Sequence, residues 1–238
     1  MAGLTQIVRW HACADTTALA RAARDWIVAA AARAIGERGR FDLVLAGGNT
    51  PRAAYCLLRD ANSDGTRADW SRWRIWFGDE RCAPPDDPQR NSAMARAAWL
   101  DHVAIPAANI CAIPAELGAR TAADRYATML HDIGDFDLVL LGLGEDGHTA
   151  SLFPGHAEGI RADAPNAVAV FNAPKPPPER VSLSAARLAR ARQVLFLVEG
   201  AGKADAVARW RAGAALPAAS ITPSGGVDVL IATTSGSP

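Results

Sequence analysis

Asp146, Gly147 and His148 place a carboxylate and an imidazole two residues apart on a segment bent by glycine, directly after the apolar run 136–141. Histidine is the side chain whose ordinary pKa lies nearest neutrality, so one held there can take a proton from water and return it later. That is the work of a general base. The same stretch also sets Gly142, Gly144 and Gly147 in the GxGxxG spacing of a dinucleotide-binding turn, a weak signal when it stands alone. In that fingerprint the last glycine packs within a helix of several turns, whereas Pro154-Gly155 follows within eight residues here and would stop one. A dehydrogenase is therefore the poorer reading. Of the remaining histidines, His11, His102, His131 and His156, only His156 is near enough in sequence to stand as a second base.

Two more apolar runs end in loops that carry chemistry. In LVLAGGNTP (43–51), Gly47 and Gly48 allow a tight turn and close approach to a ligand, Thr50 suits a helix N-cap and Pro51 the first helical position. Amides left free at such a turn hold phosphate, although an ordinary strand-to-helix connection uses the same residues. In IWFGDER (75–81) an apolar strand runs straight into Asp79, Glu80 and Arg81, a cluster placed for substrate or for a solvated, salt-bridged corner. Asn91 either supports this loop or caps the helix that follows it. Lys175 and Arg180 flank a proline run, and Lys203 opens a helical segment. Together they could close over an anion by charge-assisted hydrogen bonds, while any one of them alone is by default a surface cation.

The elements that must position these groups alternate. Nearly all-apolar runs at 41–46, 73–77, 136–141, 194–198 and 227–232, with a weaker one at 167–171, read as buried central strands. Helical spacing at 17–35, 53–59, 93–100, 122–130 and 203–211 falls between them. This interleaving predicts an α/β fold of βαβ units around a mostly parallel sheet, with ligands where strands end and helices begin. Residues 173–178 contain four prolines and must form an extended loop, placed here as an active-site loop.

With 238 residues, half of them hydrophobic, one domain spanning 1–238 is expected. The 25 basic and 25 acidic residues balance, which argues against a nucleic-acid or anionic-membrane partner. Cys13, Cys56, Cys82 and Cys111 form neither a disulfide framework nor a zinc spacing. No signal peptide or membrane-spanning run is visible, so a cytoplasmic protein is expected. Low complexity is confined to the last few Gly and Ser residues.

In order, LVLAGGNTP, WFGDER followed by DDPQRN, DLVLLGLGEDGHTASLFPG, APKPPPERVSLS and VLFLVEGAGKADAV resemble the glucosamine-6-phosphate isomerase/6-phosphogluconolactonase superfamily, and most closely its lactonase branch. The likeness runs from about residue 40 to the C-terminus. It implies a Rossmann-like, doubly wound, mostly parallel sheet with helices on both faces, and neither metal nor organic cofactor. The implied activity is hydrolysis of 6-phospho-D-glucono-1,5-lactone to 6-phosphogluconate in the oxidative pentose phosphate pathway. It further implies His148 as the base with Asp146 beside it, and Asp79 and Arg81 at the substrate. The phosphate would lie against Gly47, Gly48, Asn49 and Thr50, with Arg180 and Lys203 as cationic partners and Lys175 nearby. One departure is Asn49, where the glycine loop often has serine; its side chain still donates. The rival deaminase branch reads DGHIAFNEP, with a glutamate where this chain has Phe153, and MDEY where this chain has GDER. A non-catalytic sugar-phosphate sensor is the alternative of another class, and the intact Asp146-Gly147-His148 speaks against it. The expected partner is a small sugar-phosphate lactone, bound by a monomer or small homo-oligomer.

Overall fold

The computed structural model describes residues 6–60 and 68–232; the terminal Gly and Ser residues lie outside them. Along the chain come β1 (Val8–Ala12), α1 (Thr16–Arg38), β2 (Phe41–Leu45), α2 (Asn49–Arg59), β3 (Trp73–Phe77), β4 (Asp79–Arg81), α3 (Asn91–Ala98), β5 (Ile110–Cys111) and α4 (Ala119–Met129). Then follow β6 (Leu138–Gly142), β7 (Ala167–Val170), β8 (Arg180–Leu183), α5 (Ala185–Ala189), β9 (Val194–Glu199), α6 (Ala204–Arg211) and β10 (Val227–Ala232).

The main sheet has seven strands in the order β1-β10-β9-β6-β2-β3-β5, and every pairing in it is parallel. From β2 the chain winds outward through β3 to β5, then returns to β6 on the other side of β2 and winds through β9 to β10. The reversal between β2 and β6 is a topological switch point, where loops leave the carboxyl ends in opposite directions and open a crevice. Here β2 ends in the Gly47-Gly48 turn and β6 in the segment that carries His148.

The five apolar runs become β2, β3, β6, β9 and β10 within a residue or two of the expected limits. The weaker run at 167–171 is a strand in a different place. As β7 it is the edge of a separate antiparallel sheet, ordered β4-β8-β7. The strands not foreseen have physical reasons for their silence. β4, β5 and β8 are two to four residues long, and β1 is a half-exposed edge strand in which Arg9 and His11 interrupt the apolar signal.

α1 shows how the sheet is covered. Asp15 caps it by accepting from the Ala18 amide at 2.7 Å, and Gly39, in the left-handed region at φ 74°, ends it by donating to Ile35. Leu19, Ala23, Ile27, Ala30 and Ala34 are buried; their spacing of three and four makes one stripe, and the alanines let the helix lie close on the strands. No helix among the described residues is long and apolar enough to cross a membrane.

Glu80 fixes the next turn of the architecture. It is fully buried and accepts from the amides of Asn91 at 2.6 Å, Ser92 at 2.8 Å and Arg81 at 3.0 Å, with the Arg90 guanidinium 3.5 Å away. Of the two roles open to Asn91, the helix cap is thus filled by a carboxylate from β4, because negative charge is favoured at a helix N-terminus. Glu80→Ala strands three amides, while Arg90 keeps Glu116 at 3.0 Å, and should lower unfolding free energy by about 3 kcal/mol in chemical denaturation; a loss below about 1 kcal/mol would contradict this role.

Candidate active site

The carboxyl ends of β2 and β6 open on a cleft of about 310 Å³. Gly47 and Gly48 line it from the β2–α2 turn, Asp79 and Arg81 from β4, and Gly144 and His148 from the segment after β6. Lys175 from the proline loop, Arg180 from β8 and Lys203 from a 3-10 turn complete the wall. Eight of the eleven residues singled out in the sequence therefore meet on one surface. Asn49 and Thr50 do not line it, and Asp146 reaches it only through His148.

The segment after β6 contains no helix before β7, which removes the dinucleotide reading of its glycines. Instead the chain folds back on itself: the Gly144 amide donates to the His148 carbonyl at 2.8 Å, and Gly147 donates to Gly144 at 3.0 Å. Asp146 accepts from the His148 amide at 3.1 Å and lies 2.5 Å from its Nδ1. A neutral imidazole with its proton on Nδ1 donates there and leaves Nε2 as the basic nitrogen. Burial holds the His148 pKa below its ordinary value, against the raising effect of Asp146, and Lys175 lowers it further. For Asp146 burial acts upward but is outweighed by the His148 amide and ring, so its pKa lies below the usual carboxylate range. Both shifts favour neutral imidazole beside ionised carboxylate.

Packing fixes the ring as well. Phe153, wholly buried, lies with its ring centroid 4.7 Å from that of His148. Gly144 is indispensable to the arrangement, since a Cβ there would stand 1.9 Å from His148 Nδ1 and 2.6 Å from Asp146 Oδ1. His156 contacts the Phe153 ring too, at 6.0 Å, but it lines a different pocket.

Cations dominate the rest of the cleft: Arg81, Lys175, Arg180 and Lys203 against the single carboxylate of Asp79. Arg81 and Arg180 are direct partners across the antiparallel β4–β8 pairing. Arg180 is buried, donates to the carbonyls of Lys175 at 2.8 Å, Pro176 at 3.1 Å and Pro177 at 3.1 Å, and lies over the Phe153 ring. Burial lowers its pKa, and among the described residues no carboxylate stands within ion-pair distance. The proline loop that was expected at the site is thus held there by Arg180 itself.

At the β2–α2 turn the helix starts earlier than expected. Gly48 is the N-cap, no side chain caps the helix, and Thr50 lies inside it. The amides of the first turn consequently have no intrahelical partner. Of the two roles open to Asn91 in the sequence, support of the GDER loop is the one found, through its bonds to Asp79, and it lines the cleft besides. Ser151, which bonds Asp79, escaped the sequence analysis, and nothing in the residue pattern pointed to it.

The sequence profile of Glucosamine-6-phosphate isomerases/6-phosphogluconolactonase matches residues 14–230. The chain belongs to that family. The Glucosamine-6-phosphate isomerases/6-phosphogluconolactonase match thus reaches into α1, beyond the stretch from residue 40. Among relatives, a 6-phosphogluconolactonase of Mycobacterium leprae is 38% identical over 90% of this chain and 89% of its own length. One from Synechocystis is 41% identical over 74% of this chain and 73% of its own. The three-dimensional structure of 6-phosphogluconolactonase from Trypanosoma brucei superposes with a TM-score of 0.84 at 29% identity, covering 96% of this chain and 97% of that one. The seven-stranded sheet and its surrounding helices are the α/β fold of these neighbours.

Gly144→Ala should displace the His148 ring by about an ångström without unfolding the chain, because the clash is with a side chain. Thermal melting within a few degrees of wild type, with loss of the Nδ1–carboxylate hydrogen bond in the imidazole NMR spectrum, is the expected result; an unchanged imidazole signal would contradict it.

Proposed function

We propose that this chain, folded as one domain, hydrolyses 6-phospho-D-glucono-1,5-lactone to 6-phosphogluconate in the oxidative pentose phosphate pathway, with His148 as general base. The observation that carries the mechanism is an imidazole kept neutral by burial and oriented by Asp146, on the wall of a cleft lined by four cations. The 6-phosphogluconolactonases among the relatives support the substrate.

An ester carbonyl is already electrophilic, so its opening needs an activated water, stabilisation of the oxyanion and a proton for the departing ring oxygen. Nε2 of His148 accepts the proton of the attacking water, and the tetrahedral oxyanion forms. Arg81, which lines the cleft, and loop amides are the groups assigned to stabilise that charge. The imidazolium, stabilised by Asp146, then donates to the ring oxygen as the C–O bond breaks. At the other end, the amides of the α2 turn hold the phosphate, with Arg180 and Lys203 supplying charge and Lys175 nearby. The fixed distance between the two ends converts binding energy into alignment of the ester. Phe153 supports hydrolysis over amino-sugar isomerisation, since an apolar ring stands where proton shuffling between carbon and oxygen would need a carboxylate.

His148→Ala should lower kcat by about a hundredfold or more, while Lys203→Ala should raise KM by about tenfold with little change in kcat. Both are read in a coupled assay on freshly generated lactone with the spontaneous rate subtracted, and near-wild-type turnover by His148→Ala would remove the imidazole from the mechanism. Because the neutral ring is the active form, kcat/KM should rise with pH through a midpoint below 6.5, the ordinary histidine value, and stay level above neutrality. Asp146→Asn removes the charge that raises this pKa, so its midpoint should move to lower pH; movement upward would refute the assignment.

A further inference from the structure

The side chain of Asn91 is held in one orientation by groups that accept only. Its Nδ2 donates at 2.9 Å to both the backbone oxygen and Oδ1 of Asp79. Reversing the carboxamide would set oxygen against two oxygens, so the assignment of nitrogen and oxygen is forced. Asp79 is itself locked, because Ser151 Oγ donates to its other carboxylate oxygen at 2.7 Å. The amide of Asn91 is tied to Glu80, which fixes where the side chain starts.

Both Nδ2 hydrogens are therefore used, and Oδ1 is the free end. Among the described residues it receives no hydrogen bond, yet it is not sealed from solvent, and the residue is only 3% exposed. The opening is the cleft, which Asn91 lines. Oδ1 points toward the β2–α2 turn, where it stands 2.0 Å from the position a Cβ on Gly47 would take. A lone acceptor aimed into a cationic cleft repels a phosphate oxygen and attracts a hydroxyl.

We infer that Asn91 Oδ1 accepts a hydrogen bond from a ring hydroxyl lying between the carbonyl and the phosphate of the substrate, making Asn91 a specificity-determining residue. This rests on the lactonase reading above. A fixed acceptor that loses its donor costs more than one that can turn to water, so the residue discriminates between a hydroxylated ring and a deoxygenated one. Gly47 is the corollary: any side chain there would occupy the space of the carboxamide.

The test compares wild type with Asn91→Ala on the phosphorylated lactone and on its 2-, 3- and 4-deoxy analogues. Wild type should lose about tenfold or more in kcat/KM on removal of one particular hydroxyl, and Asn91→Ala should be indifferent to that same removal. Equal sensitivity of variant and wild type to every deoxy analogue would overturn the inference and leave Asn91 as a support for Asp79. Turnover by wild type with no dependence on any hydroxyl would overturn it too. Failure of wild type to turn over the parent lactone would instead sink the lactonase reading, and this inference with it. Should Asn91→Ala not fold, Asn91→Ser keeps a small side chain at the helix start and serves the same comparison.

Discussion

One buried carboxylate joins three segments of the cleft that no covalent link brings together. Asp79, 6% exposed, begins the strand after β3, binds the first residue of α3 through one oxygen, and binds Ser151 beyond His148 through the other. A charge taken out of water is tolerated only when such hydrogen bonds satisfy it, and removing a partner is strongly destabilising. The demand works in both directions. Satisfying Asp79 forces the loops from β3 and β6 into a fixed relation, and the crevice between them has its dimensions before any ligand arrives. Preorganised polar groups of this kind need no rearrangement at the moment of reaction.

The second sheet is what turns an open switch-point crevice into a charged cleft. The main sheet delivers glycine turns and the imidazole, neutral groups that arise wherever parallel strands feed loops at a reversal of order. It delivers no cation of its own to the wall except Lys203, which follows β9. Arg81 and Arg180 come from β4 and β8, paired residue to residue, and they arrive as a unit on a small sheet laid beside the first. Phe153 packs under both the imidazole and Arg180, so one apolar ring dries the first and supports the second together.

Much of this was legible in the residues because the informative signals were long. Runs of five or six buried apolar residues specify central parallel strands, and Asp146-Gly147-His148 after such a run marked the segment that brings an imidazole to the cleft. What remained hidden was hidden for reasons of length and partnership. β4 and β8 are too short to show a period, and their pairing joins positions about a hundred residues apart. Thr50 has the residue type of a cap, yet the helix begins before it, since glycine at position 48 accepts the conformation that starts the helix sooner. Asn91 also has the residue type of a cap, but Glu80 reaches its helix from another strand, and no local rule registers a carboxylate arriving from elsewhere in space.

Two helices begin near this crevice, and their starts are electrostatically unlike. The N-terminus of α3 is already answered by Glu80, whereas that of α2 bears only glycine. Beside the cations of the cleft wall, the helix start still open to a negative charge is therefore that of α2 and not that of α3. The cleft has a direction built into it, like a socket that accepts its plug one way round, because only one of its two helix starts can still answer a negative charge.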